Sequence, residues 1–222
     1  MHPNCAPDRR LGISFIELLC ATAVLSMVTV VTVARLHIRA EFNQARCTHH
    51  LKETGLAFQQ FANDNADRFP MKVSQTFGGA REAAAEGRVA GVFAVLADYH
   101  AKPEHVVCPG DTRSVALTMP VVTAKNLSYF VNLDADRSRP ASPLLGDRDL
   151  TNPGANGTGA VLLTGLQVAS DDSMEPTWSG TLHRDSGQLA LVDGSVAQLA
   201  GSSLRDALRQ AGQSPVRLLF PQ

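Results

Sequence analysis

Four cysteines stand at positions 5, 20, 47 and 108, and no two of them form a CxxC pair. That absence argues against a zinc ribbon or a thioredoxin motif. Cys20 lies inside an apolar run and Cys5 precedes it, which leaves Cys47 and Cys108 as the pair able to join in an oxidising compartment. Two separate thiols are the other reading. No basic run and no basic patch interleaved with aromatics is present, so nucleic acid is not an expected partner. The chain also lacks a nucleophile elbow, a P-loop, an HExxH helix and a dinucleotide fingerprint. An enzyme is therefore not expected. The enzymatic alternative would be a membrane-tethered hydrolase, tested through His183 or Asp193. A net charge of −1 and an apolar content of 44% exclude disorder of the whole chain.

What is present is a long apolar run from Leu11 to Ala34. It has no proline, its one glycine is Gly12 at the start, and its one charge is Glu17. A helix needs about 20 such residues to cross a bilayer. Asp8, Arg9 and Arg10 precede the run, and Arg35, His37 and Arg39 follow it. A secretory signal would have a shorter apolar core, about 7–15 residues, and a small-residue cleavage site behind it. Here "RLHIRAEFNQARC" follows, which reads as a continuing polar helix. Cleavage as a lipoprotein at Cys20 is disfavoured by the bulky Leu18 and Leu19 before it. Glu17 is the anomaly: a carboxylate in lipid costs a few kcal/mol, less near a segment end. It either snorkels to the interface or meets a specific partner.

Past the run, Ile38, Phe42, Ala45, His49, Leu51, Leu56, Phe58 and Phe61 form a rough helical stripe. Gly55 suggests a bend, and "NDNADRFP" ends the helix, since Asn and Asp favour turns and Pro70 cannot continue it. Residues 71–90 read as a loop around a short helix, and 91–100 as helical. Residues 101–113 read as a short strand or extended turn. "VALTMPVV" and "LSYFVNL" read as strands from their β-branched and aromatic content. A short strand and a Gly/Asn-rich loop fill 142–163. "GTLHRDSGQLALVDGSVAQLA" is the clearest meander, with turns at Asp185-Ser186-Gly187 and Asp193-Gly194. "SSLRDALRQAG" closes as a helix with serine as cap and Gly212 as stop. Two ligand sets come into view. His100, His105 and Cys108 fit no standard zinc spacing, and surface histidines beside a buried cysteine are the plainer reading. His183 and Asp193 read either as a ligand pair or as a turn-stabilising hydrogen bond.

Arg9-Arg10-Leu11-Gly12, followed by Ile13-Ser14-Phe15-Ile16-Glu17-Leu18-Leu19, resembles the cleavage and methylation segment of type IV prepilins and type II secretion pseudopilins. The resemblance implies that a prepilin peptidase cuts after Gly12, that Ile13 becomes a methylated N-terminus, and that Glu17 is the fifth mature residue. The family most often has phenylalanine and threonine where this chain has Ile13 and Ser14. Cys47, Leu51, Lys52, Gly55, Leu56, Ala57, Asp64, Asn65 and Pro70 match a pattern that follows the membrane segment in many pseudopilin-like proteins, with His50 and Phe61 in place of the usual asparagine and tyrosine. Cys108, Pro109 and Asp111 reproduce its CPxD, and His183, Asp193 and Gly194 the H-x9-DG ending of one subfamily.

The implied fold is α+β and pilin-like, a long N-terminal helix with a membrane-spanning first half packed on a small antiparallel β-sheet. The implied organisation is a leader at 1–12, a transmembrane helix at 13–36, its soluble extension at 37–66 and an extracytoplasmic globular α+β domain at 67–222. The implied function is that of a structural subunit assembling through its helix into a type II secretion or pilus-like fibre. Its partners would be the prepilin peptidase, other pseudopilin subunits and an inner-membrane secretion platform. It would be a single-pass inner-membrane protein with a periplasmic C-terminal domain. Glu17 would meet the Ile13 amine of a neighbouring subunit, an attraction that is strong where the dielectric is low. The alternative is a membrane-anchored extracytoplasmic binding module that does not polymerise. No cofactor is expected. Calcium, bound by some major pseudopilins, would have Asn132, Asp134 and Asp136 as its candidates, though the glycine of an EF-hand loop is absent and a plain acidic loop is the simpler reading.

Overall fold

The first helix, α1 (Phe15–Asp64), runs for 50 residues. It belongs to a computed structural model that describes residues 14–153, 160–162, 165–169, 176–183, 186–210 and 216–221. The chain divides into two compact units, Met1–Glu41 and Phe42–Gln222. In the first, described from Ser14, the helix is apolar on every side. Eleven large apolar side chains from Phe15 to Val33 are exposed, among them Phe15, Leu25 and Val30. A helix without a polar face has no place at a water-facing surface. This one is long and apolar enough to cross a membrane.

In the second unit the same helix becomes amphipathic. Cys47, Leu51, Thr54, Phe58, Phe61 and Ala62 are buried at steps of three and four residues. The buried stripe starts only at Cys47. Ile38 and Phe42, expected in it, are 65% and 61% exposed, and Ala45, His49 and Leu56 also face outward. The helix continues through Gly55 without a break, and a Cβ there would sit 3.8 Å from that of Ala190, an ordinary contact. The helix ends where expected. Ala66 and Asp67 take positive φ, and the Asp67 N–H donates back to the Ala62 carbonyl at 2.9 Å.

Between α1 and the sheet lie two short helices, α2 (Arg81–Ala85) and α3 (Val89–Ala94), with several 3-10 turns. The strands are β1 (Tyr129–Asn132), β2 (Pro143–Asp147), β3 (Leu150–Pro153), β4 (Ala160–Leu162), β5 (Gly165–Ala169), β6 (Thr177–Trp178), β7 (Ser186–Leu191), β8 (Val196–Ala200) and β9 (Val216–Phe220). Among the described residues they build an antiparallel six-stranded sheet in the order β5-β9-β1-β2-β7-β8 and a three-stranded sheet in the order β4-β3-β6. The helix on an antiparallel sheet expected from sequence is present, and the sheet is larger than expected.

Both faces of the main sheet are covered. Tyr129, Val131, Ala190 and Leu219 join the core with Cys47, Leu51 and Phe58. Phe130, Leu189, Leu218 and Phe220 point the other way, onto Leu150, Trp178 and Leu204 of helix α4 (Gly201–Gln210). This is why "YFV" in β1 and "PLL" in β2 are unbroken apolar runs: a strand buried on both faces needs no alternation.

Four local expectations fail. Residues 115–122 form no strand: Pro120 lacks the N–H a ladder needs, and Met119–Val121 is a 3-10 turn with Leu117 93% exposed. Residues 103–106 are likewise a 3-10 turn opened by Pro103. Ser186 and Gly187 begin β7 instead of forming a turn. Helix α4 begins at Gly201, ahead of both serines, so neither Ser202 nor Ser203 is its cap; Gly212 lies outside the described residues.

Candidate functional site

Two groups of residues stand apart from ordinary core packing. The first is the exposed apolar half of α1. Gly12 and Ile13 lie outside the described residues. Glu17 is one turn into the helix, and its Oε2 accepts the Ser14 N–H at 2.9 Å, which satisfies one otherwise unpaired amide of the first turn. The hydroxyls of this half also bond inward. Thr22, Ser26, Thr29 and Thr32 donate to the carbonyls of Leu19, Ala23, Ser26 and Val28 at 2.8–3.0 Å. Such i−3 and i−4 bonds remove the cost of taking a hydroxyl out of water. The surface left is almost wholly hydrocarbon. Each of its large side chains gains about 1.5–3 kcal/mol when removed from water. A patch of that extent is covered in its working state by lipid or by protein.

The second group is buried in the other unit, where four segments bring together Cys47, Cys108, Asp147 and His183. Cys47 comes from α1 and Asp147 from the end of β2. Cys108 opens a β-turn, closed by Asp111 N–H donating to its carbonyl at 2.8 Å, with Pro109 at the position where a fixed φ suits that turn. His183 sits in the turn before β7. Cys108 Sγ and His183 Nε2 are 3.3 Å apart, in hydrogen-bond contact. His183 Nε2 lies 3.6 Å from Asp147 Oδ2. The Cys47 thiol donates to Asp147 Oδ1 at 3.7 Å and touches the Tyr129 hydroxyl at 3.5 Å. The His183 side chain is 4% exposed and that of Asp147 fully buried.

Burial dominates the electrostatics of this cluster. It pushes the Asp147 carboxyl well above the usual carboxylate range, against the opposing pull of His183. It also pushes the Cys47 thiol up. Cys108 goes the other way, down to about 6, because the Cys47 thiol and His183 both favour its thiolate and outweigh burial. Burial opposes charge on His183, but Cys108 and Asp147 together raise its pKa. Cys108 and His183 thus each favour the charged form of the other.

Neighbouring motif residues build the frame. Asp111 is the hub of a buried ion pair: Arg148 Nε and Nη2 donate to its two oxygens at 2.7 and 2.8 Å, and Ser128 Oγ donates at 2.8 Å. Burial raises the Asp111 pKa, but Arg148 and Ser128 more than reverse this. Asp149 Oδ2 accepts the Leu182 N–H at 3.1 Å and so holds the turn that carries His183.

The other ligand sets do not assemble. Asp193 does not join His183. Its Oδ1 accepts from Ser195 N and Oγ at 2.8 and 2.6 Å, and Gly194 takes the positive φ of +85° that the β7–β8 turn needs. His105 joins neither His100 nor Cys108; its ring lies 5.6 and 6.3 Å from those of His50 and His49. Asn132, Asp134 and Asp136 do not converge either. Asn132 is buried and donates to the Pro143 carbonyl, Asp134 is gripped by Arg217, and Asp136 accepts from Ser138 in its own turn. Asp134 is thus already paired with the guanidinium of Arg217.

Cys47 and Cys108 are brought together as two thiols, without a disulfide. Sequence reasoning missed Asp147 and Tyr129. The available signal was a carboxylate inside the otherwise apolar "PLLGD". Comparison with family models, curated proteins and solved structures finds no match for this chain.

Proposed function

We propose that this protein is a pilin-like structural subunit, anchored in a membrane by the first half of α1 and assembled through it into a pseudopilus or related fibre. The observation that carries the reading is one helix with two surfaces: an apolar, uncovered half bearing Glu17, then an amphipathic half seated on a sheet. The prepilin-like residues around Gly12 support processing by a prepilin peptidase. The apolar half needs a cover, and neighbouring copies of the same half together with lipid supply one. Glu17 fixes register in such a stack, because a slip leaves it and a neighbour's Ile13 amine unpaired.

A second reading is favoured by one contact. The Glu17 carboxylate is already used by its own Ser14 N–H. In a chain that is only anchored, that cap is the residue's whole role. Site-directed crosslinking between anchor helices in intact membranes separates the two. Assembly predicts crosslinked multimers in the native chain that are strongly reduced by Glu17→Ala, with processing unchanged. Equal crosslinking in both chains would leave only the anchored module.

A further inference from the structure

We propose that Cys47, Cys108, Asp147 and His183 form a structural zinc site that ties α1 to the sheet. The proposal is independent of whether the chain polymerises. Its first support is geometric. The four ligand atoms all lie within 4.8 Å of one another. A tetrahedral zinc with bonds of about 2.3 Å to sulfur and about 2.0–2.1 Å to nitrogen or oxygen has edges of roughly 3.3–3.8 Å. Cys108 Sγ lies 3.3 Å from His183 Nε2, and His183 Nε2 lies 3.6 Å from Asp147 Oδ2, while Cys47 Sγ is 3.7 Å from the other oxygen of that carboxylate, Oδ1.

The second support is direction. Cys108 and Asp147 both face the same imidazole nitrogen, Nε2. In a nucleophile–base–orienter relay the base uses its two nitrogens on opposite sides. Ligands around one ion gather at a common point, and Cys108 and Asp147 gather here at one nitrogen, with all four ligand atoms within 4.8 Å of one another. A Cys47–Cys108 disulfide would use two of the four groups and leave a buried carboxylate facing a buried imidazole.

The third support is the surrounding shell. Gly110 N–H donates to Cys108 Sγ at 3.4 Å, Gln188 N–H donates to Asp147 Oδ2 at 2.7 Å, and the Tyr129 hydroxyl contacts Cys47 Sγ. These groups stabilise negative charge on three of the four ligands, as outer partners of metal ligands do. Two thiolates, an imidazole and a carboxylate suit a borderline-soft ion of tetrahedral preference. All four ligands are buried protein groups, which marks a closed structural site with no open catalytic position. Cys47 and Asp147 are 100 residues apart and Cys108 and His183 75, so the ion would close long loops. Its binding free energy would then add to that of folding.

Cobalt(II) reports on this directly. The full chain is purified in detergent under reducing conditions, stripped with a chelator and titrated with Co(II), then with Zn(II). The expected result is equimolar binding, with a near-ultraviolet thiolate charge-transfer band and the strong visible bands of a tetrahedral ion, both erased by equimolar zinc. Cys108→Ser and His183→Ala lose the tetrahedral spectrum. Tyr129→Phe, which keeps all four ligands, weakens binding by about 10- to 100-fold. A folded, reduced native chain that gives no thiolate–cobalt band overturns the proposal. So does a native chain isolated with Cys47 and Cys108 joined as a disulfide.

Discussion

The two halves of α1 share one backbone geometry and differ in what surrounds them. From Phe15 to Val33 the apolar residues go all the way round and the hydroxyls turn back onto the helix's own carbonyls. From Cys47 to Ala62 the buried residues keep to one stripe, and the polar ones in it reach outward to other segments. His50 Nδ1 contacts the Val107 carbonyl at 2.9 Å, and Thr54 Oγ1 lies 2.9 Å from both the His105 carbonyl and that of His50 in its own helix. Polar groups in the second half thus add contacts with other segments to the local bonds that the first half uses. In a stretch with no tertiary partner a polar side chain must be satisfied locally. In a packed stretch it can specify a contact, and Cys47 is the strongest case.

The difference should show first in stability. Phe58 is buried against Phe69 and Phe93, with ring centres 6.5 and 5.8 Å away. Phe58→Ala is expected to cost about 3–5 kcal/mol in urea unfolding followed by tryptophan fluorescence. Val24→Ala, in the exposed half, is expected to change it by less than about 0.5 kcal/mol. Similar losses from both would erase the distinction.

Membrane partition should show the reverse pattern. Val24→Arg adds about 2.5–3.5 kcal/mol to insertion of the segment, so it shifts the chain from the membrane to the soluble or degraded fraction on alkaline extraction. Urea unfolding of the rest is expected to stay the same. Retention in the membrane at native levels would count against lipid as the cover of this surface.

The smallest effect concerns pH. The Asp111 pKa is held below its usual value in the folded chain, chiefly by Arg148 and against burial. Its contribution to stability is therefore present above the unfolded value of about 3.9 and is lost as pH falls through the lowered folded value. Asp111→Asn is expected to flatten that acid limb in thermal melts between neutral and strongly acidic pH. The exposed apolar half has no such tertiary ion pair among the described residues, so partition of the chain into the membrane fraction should not follow this titration. An unchanged acid limb in the variant would remove Asp111 from the account.

Much of α1 could be read from sequence because its signals are local. An apolar run, a stripe with period near 3.6 and an Asn/Asp turn before Pro70 each act within a few residues. Ile38 and Phe42 share the periodicity of the stripe yet stay exposed, because periodicity identifies a face and not where its partner surface begins. Residues 115–122 had strand-like composition, but Pro120 removes a donor and no neighbouring strand takes them up. The Cys47–Cys108–Asp147–His183 cluster was hidden for a different reason. Its members come from a helix, a turn, a strand end and another turn, so no spacing connects them. The H-x9-DG spacing joins His183 to Asp193 along the chain, whereas Asp147 is the acid it meets in space. Cys108, Pro109 and Asp111 were legible as a motif, yet only the fold shows Asp111 turned to Arg148 and Cys108 to His183.

The central claim is that the exposed apolar half of α1 is the working surface of a processed, membrane-inserted subunit. Intact-mass spectrometry of the chain isolated from its native membrane tests this most directly. The account predicts a mature protein that begins at Ile13 and carries a methyl group on its amine. A chain that keeps Met1 and the whole leader would contradict it.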